Sequence, residues 1–329
     1  MVRLSLKLLA TAVGACFAFS VRAFVPGPTL APLVEAVSPA VVCIRTQNAD
    51  GGMRDGAGFI VSEDGLILSN DHVVKDAEQI NMTLADGTVL KGYVVGRDGK
   101  TDVALLKAVT ETPLPAVDFA TSAGVRTGDW VLALGNPYGL GLSASAGIIS
   151  ARGRALQGAP QDDFLQTDAV VHRGNSGGPL FNLDGRVIGM STAILSPQAD
   201  EAGLNFALPS DTLVWVLEQL KKDGVVKRPK LGLQVLFDKN IGLYVSDVDP
   251  DGPAARAGVL PGDVLTALDG QPLTGVQTLG GLMRHLSVGK TVTLTLMRDQ
   301  TPVTVSFPPA EDIDGVLKTP ELSENSHAN

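Results

Sequence analysis

Between residues 40 and 208 the chain alternates short apolar runs with glycine turns, and this pattern limits the fold more than any other feature. Runs at 40–45, 56–61, 66–69, 89–95, 102–107, 130–135, 147–150 and 186–190 have strand lengths and are too short for amphipathic helices. Asp86-Gly87 and Asp184-Gly185 between such runs are hairpin turn signals. Glycine supplies 37 of the 329 residues, above the average usage of about 7%. The pattern predicts a mainly β domain, a sandwich or barrel.

A different pattern follows. Ser210-Asp211 can cap a helix whose apolar positions Leu213, Val214, Val216, Leu217 and Leu220 recur at helical spacing. Lys221 and Lys222 suit its C-terminal end and Gly224 stops it. Residues 226–230, with Pro229, read as a linker. A second, α+β module is predicted over 231–310, with strands near 231–236, 243–248, 263–268, 291–297 and 303–307. Helices are predicted near 253–257 and 276–286, the second weakened by Gly280 and Gly281. Residues 311–329, and the polar stretch from Ala310 on, read as an unstructured tail. The first domain is then 24–225.

Hydrophobic residues make up 44% of the chain and charged residues 19%, ample for cores and too apolar for a disordered chain. The formal charge is −9, and no stretch collects Lys and Arg, which argues against a nucleic-acid partner. Cys16 and Cys43 are the only cysteines, too few for a disulfide scaffold or a four-cysteine zinc site. No metal or other cofactor is expected.

Residues 1–23 read as an export signal. Arg3 and Lys7 precede an uncharged, mostly apolar run at 8–19, and Val21-Arg22-Ala23 offers a small residue before a cut. The run is short for a membrane span of roughly 20 residues. The expected location is the periplasm or another exported compartment. If the segment stays uncleaved, it anchors the protein to the inner membrane.

Three local sequences carry chemistry. Ser69-Asn70-Asp71-His72-Val73-Val74 puts a histidine at a strand end, and Lys100-Thr101-Asp102-Val103-Ala104 puts an aspartate at a strand entry. Arg173-Gly174-Asn175-Ser176-Gly177-Gly178-Pro179-Leu180 surrounds a serine with glycines. A serine hydroxyl attacks a carbonyl only when a base takes its proton. An imidazole can take that proton, and a carboxylate on the other ring nitrogen fixes the tautomer. Glycines beside Ser176 let backbone N–H groups converge on one point, where an oxyanion can sit.

His, Asp and Ser occur in the order used by chymotrypsin-like hydrolases. With Ser38-Pro39-Ala40-Val41-Val42, Gly135-Asn136-Pro137-Tyr138-Gly139-Leu140, Gln166-Thr167-Asp168-Ala169 and Gly203-Leu204-Asn205-Phe206-Ala207-Leu208-Pro209-Ser210, the chain resembles the HtrA/Deg family of serine endopeptidases. The resemblance covers about 38–308. It implies a chymotrypsin-like double six-stranded barrel followed by a PDZ domain, with His72, Asp102 and Ser176 as triad and Gly174, Asn175 and Ser176 around the oxyanion hole. It implies a primary pocket at Val170, Thr192, Leu204 and Phe206. Val170, six residues before Ser176 and not acidic, predicts cleavage after small aliphatic residues and rejection of Lys and Arg. Asn205 replaces a common glycine and narrows that pocket.

Arg154 matches the family's sensor-loop arginine. His172 replaces a usual Asn, as either a neutral substitute or a pH-sensitive group on the oxyanion loop. Lys230-Leu231-Gly232-Leu233-Gln234 resembles a PDZ carboxylate loop, so Leu231, Gly232 and Leu233 are expected to bind peptide C-termini. Only residues 237–240 separate the first PDZ strand from the next, a shortening that bears on peptide binding. The short loop at 46–55 resembles the single-PDZ, homotrimeric branch. The implied function is ATP-independent protein quality control on unfolded substrates during stress, regulated by the PDZ domain. The alternatives are a sensor protease with one dedicated substrate and a non-proteolytic holdase or PDZ scaffold.

Overall fold

The computed structural model describes residues 29–154, 163–170, 172–192, 204–283 and 286–312. The expected export signal with Cys16, most of the loop after Arg154 and the tail beyond Asp312 lie outside the described residues.

After a short helix α1 (Ala31–Val37), six strands close the first barrel: β1 (Val41–Asn48), β2 (Met53–Ile60), β3 (Leu66–Ser69), β4 (Ala77–Thr83), β5 (Val89–Asp98) and β6 (Val103–Ala108). Their order around the barrel is β1-β2-β3-β6-β5-β4. The second barrel runs β10-β11-β12-β9-β8-β7 and uses β7 (Trp130–Gly135), β8 (Ser143–Arg154), β9 (Phe164–Thr167), β10 (Pro179–Phe181), β11 (Val187–Thr192) and β12 (Asn205–Pro209). Closure removes the free sheet edges that so many short strands would otherwise expose. Each barrel has its own filling, Ile44, Ile67, Met82 and Leu106 in the first and Val131, Ile149, Leu165 and Ile188 in the second. A third cluster joins them, with Phe59, Leu68 and Leu105 meeting Leu132, Phe181 and Met190. A site placed between the barrels is therefore held by a continuous packed core.

Helix α2 (Asp71–Val74) is a single turn between β3 and β4, and α3 (Ser210–Asp223) follows β12. The apolar face of α3, Leu213, Val216, Leu217 and Leu220, is buried in the joint core. Gly224 ends it in the left-handed conformation at φ +69, the expected stop. Its start differs from the expectation. Ser210 and Asp211 do not cap their own helix; they bind the chain at 120–123. The Ser210 hydroxyl donates to Ala120 O at 2.6 Å, and the Asp211 carboxylate accepts from Ser122 Oγ at 2.8 Å and Ala123 N at 3.0 Å.

The second domain is a five-stranded path β14-β15-β16-β18-β19, with β17 (Gln271–Pro272) paired to β16. Its strands are β14 (Leu233–Asp238), β15 (Gly242–Val248), β16 (Val264–Leu268), β18 (Val292–Arg298) and β19 (Thr301–Phe307). Helices α4 (Pro253–Arg256) and α5 (Val276–Met283) accompany them. Leu243, Leu265, Leu294, Leu296 and Phe307 form its core. Two segments correct the sequence reading. Arg228–Lys230, expected as linker, is β13, and Ala310–Asp312, expected as the start of the tail, is β20; the two pair antiparallel. Neither has a strand pattern of its own, because each is made a strand by the other.

Candidate active site

His72 stands on α2, one residue after Asp71 and before Val73 and Val74, whose side chains are buried. The Thr46 hydroxyl donates to Val73 O at 3.1 Å, which fixes the turn. Asp102 closes the connection between β5 and β6 with φ +56, a conformation costly for most side chains but accessible to Asp. Several contacts hold it there. Its carbonyl accepts from Asp71 N at 3.1 Å and from Asn70 Nδ2 at 2.7 Å. Its Oδ1 accepts from the His72 backbone N–H at 2.9 Å, and its Oδ2 faces His72 Nδ1 at 2.7 Å. A carboxylate only accepts, so Nδ1 carries a proton, which in the neutral imidazole leaves the lone pair on Nε2. Asp71 forms an ion pair with Arg97, Nε to Oδ1 2.9 Å. Burial pushes the Asp71 carboxyl above its ordinary value, opposed by Arg97.

Ser176 lies in the glycine loop before β10 and is buried. Its carbonyl accepts from Ala57 N at 2.9 Å. A Cβ on the next residue, Gly177, at φ +85, would lie 2.3 Å from Ala57 O and 2.5 Å from Ser69 Oγ. Only glycine lets this loop seat against the end of β3, two residues before α2. That contact sets the residue after Ser176 against Ser69 and Asn70, next to α2.

The loop before Ser176 has its backbone direction set from outside. Tyr138 N donates to Arg173 O at 2.8 Å, and in a planar trans peptide the Gly174 N–H then points the opposite way. Gly174 has φ +98, and a Cβ there would lie 2.1 Å from Asn136 O. Asn175 departs from the expectation for the oxyanion hole, because its N–H is donated to His172 O at 2.9 Å. Among the described residues, the N–H groups of Gly174 and Ser176 have no such partner.

Val170 is 46% exposed and Leu204 43%, both just past the same end of the strand pair β9–β12, where Asn205 stands opposite Thr167. Val170 N donates to Ser145 Oγ at 2.8 Å, and Asn205 Nδ2 donates to Ala169 O at 2.8 Å. Phe206, half-buried, stands opposite Thr192 in the β11–β12 register. The Thr192 hydroxyl donates to Asp102 Oδ2 at 3.3 Å, a carboxylate contact that no local sequence signal announced. Arg154 ends β8 with Nε on Gln166 Oε1 at 3.0 Å. The His172 ring lies 5.8 Å from that of Tyr138, tilted by 33°.

In the second domain Leu231 is buried in the core, and Gly232 takes φ +78. Leu231 O accepts from Ala254 N at 3.0 Å and Gly232 O from Asp249 N at 3.0 Å. Leu233 begins β14, the edge of its sheet, which leaves a strand able to pair with an added one. Among the described residues no group of three or more His, Cys, Asp or Glu is arranged to hold a metal ion. Among them, too, no helix is long and apolar enough to cross a membrane.

Residues 56–190 match a trypsin-like peptidase domain and 229–308 a PDZ domain. The chain is 41% identical over 278 residues to a probable periplasmic serine endoprotease, DegP-like, of Rhizobium meliloti (strain 1021), covering 80% of this chain and 55% of that relative. It thus spans about half the length of the curated relatives it matches. The solved HtrA-type protease AlgW with tripeptide is 35% identical, with a TM-score of 0.81 over 86% of this chain and 97% of that one. The serine endoprotease from Yersinia pestis is 35% identical, with a TM-score of 0.72 over 86% and 98%. With two closed barrels, one PDZ domain and this similarity over nearly the whole of those solved chains, the chain belongs to the HtrA-type family of trypsin-like serine proteases.

Proposed function

We propose that the chain is a periplasmic, ATP-independent serine endopeptidase in which His72, Asp102 and Ser176 act as a proton relay. The observation that carries the reading is the double grip of Asp102 on His72, at 2.9 and 2.7 Å, with Gly177, the residue after Ser176, seated against the end of the strand that leads to that histidine. Ser176 Oγ attacks the scissile carbonyl while His72 Nε2 takes its proton. The oxyanion is held by the Gly174 and Ser176 N–H groups. The C–N bond then breaks, and the departing amine takes the proton from His72. Water, deprotonated by the same imidazole, hydrolyses the acyl-enzyme and restores Ser176.

Val170 and Leu204 support a preference for small aliphatic residues before the cut, since a buried Lys or Arg there would be unpaired. The edge of β14 beside Leu231-Gly232-Leu233 supports capture of peptide C-termini, through which the PDZ domain regulates cleavage of unfolded proteins. Exposed Trp130 and Leu183 line a cleft of about 380 Å³ on the second barrel, which supports self-association through that face; the assembly expected is a homotrimer.

A fluorophosphonate probe tests the relay. The wild type is expected to be labelled at Ser176 and to cleave unfolded casein, and Ser176→Ala to do neither. An unlabelled wild type, with PDZ-binding peptide present, would leave a holdase or scaffold.

A further inference from the structure

The chain leaves α3 at Gly224 and turns against β5, where a Cβ on Gly96 would lie 2.4 Å from Gly224 O. Lys227 N then donates to Gln219 Oε1 at 3.0 Å, so the segment reaching β13 is pinned along the first domain. Arg228, the first residue of β13, lies 5.5 Å over the Trp215 ring. Its guanidinium grips Asp98 with a two-pronged bond, Nη1 to Oδ1 at 2.8 Å and Nη2 to Oδ2 at 2.5 Å. Asp98 is only 6% exposed.

The same carboxylate accepts from the Thr101 N–H at 3.2 Å and from the Thr101 hydroxyl. Asp98 ends β5, Thr101 lies within the turn at 99–102 that joins β5 to β6, and Asp102 is the last residue of that turn. From the other side, Lys100 Nζ pairs with Asp312 on β20, the strand that pairs with β13. The strands into and out of the PDZ domain therefore both hold the turn that ends in Asp102.

A buried carboxylate stripped of its countercharge must recruit water or a proton. A non-glycine residue in the left-handed region keeps its geometry only while its surroundings over-determine it. We propose that Arg228 is a positioning residue for catalysis, through which the strands flanking the PDZ domain set the aim of Asp102 at His72. The proposal rests on the relay reading above. It enters the relay from the carboxylate end and not from the loop before Ser176.

The test compares wild type, Arg228→Gln, Arg228→Lys and Lys100→Ala in the full chain, measuring kcat, KM, fluorophosphonate labelling rate and thermal unfolding. A misaimed carboxylate lowers kcat and the labelling rate about tenfold in Arg228→Gln, with KM within about twofold of wild type. Arg228→Lys, which keeps the charge but loses the fork, falls between. Wild-type kcat in Arg228→Gln, whatever its melting temperature, overturns the proposal. If that variant does not fold, wild-type kcat in both Arg228→Lys and Lys100→Ala overturns it instead. A wild type that the probe does not label sinks the relay reading itself; equal labelling of wild type and variants sinks only the role of Arg228.

Discussion

Thr192 at the end of β11 donates its hydroxyl to Oδ2 of Asp102 at 3.3 Å, so the carboxylate facing His72 is held by both barrels. Asp102 closes a turn of the first barrel, and Thr192 ends a strand of the second. The geometry of the proposed relay therefore depends on how the barrels pack, through the cluster of Phe59, Leu68, Phe181 and Met190. Thr192→Val keeps the shape and removes the donor. The expected result is a several-fold lower kcat with a stability change of about 1 kcal/mol, the usual worth of one hydrogen bond. Steady-state kinetics and urea unfolding measure the two; an unchanged kcat removes Thr192 from the relay's support.

Gly174 has a sharper requirement. A Cβ there would lie 2.1 Å from Asn136 O, so Gly174→Ala must turn the peptide that directs the Gly174 N–H. Loss of one oxyanion donor lowers kcat by about 10²–10³-fold. Hydrolysis of a peptide ester reads this, and a loss below tenfold would mean that the donor lies elsewhere.

Val170 carries the specificity reading. Val170→Asp places a carboxylate six residues before Ser176, on a residue 46% exposed. Digests of unfolded casein are expected to shift from cuts after small aliphatic residues toward cuts after Lys and Arg. Unchanged cleavage sites would show that position 170 does not form the base of the pocket.

Much of this was legible in the sequence because the information was local. Glycine-punctuated apolar runs marked strands, and the glycines at 174 and 177 marked a tight loop, where both take positive φ values that favour glycine. What stayed hidden was pairing at long range. Arg228 and Asp98 are 130 residues apart, and β13 and β20 are strands only because they meet. Asn175 shows a second kind of limit. Its place beside Ser176 suggested an oxyanion donor, yet the direction of its N–H was decided by a turn onto His172 O. Ser210 and Asp211 read as a helix cap for the same reason, since nothing nearby in sequence revealed the chain at 120–123 as a better partner.

Trp130 tests assembly. It is 56% exposed and shares its cleft with Leu183, 53% exposed. Trp130→Glu places a charge on that apolar face, and sedimentation is expected to show trimers for the wild type and monomers for the variant. A wild type that sediments as a monomer at micromolar concentration overturns the trimer; a trimeric variant moves the interface to another face.

Asp263 makes the stability of the PDZ domain a test of pH dependence. Its carboxylate is buried, and accepts from Arg298 Nε and Nη2 at 2.7 Å each and from Leu260 N at 2.9 Å. Burial alone would raise its pKa, but Arg298 and the Leu260 N–H together hold it below the ordinary carboxylate range. A carboxyl depressed in the folded state contributes stability that is fully present above its unfolded value of about 3.9. That contribution is lost as pH falls through the lower folded value. Asp263→Asn should therefore weaken the domain at pH 7 and cost progressively less below about pH 4. Hydrogen exchange of the β18 amides, corrected for intrinsic rate, reads the domain without interference from the barrels. Protection at Leu294 and Leu296 is expected to fall about tenfold or more in the variant at pH 7, with the gap closing toward pH 3. A gap of the same size at both pH values would mean that the carboxylate acts by shape and not by charge.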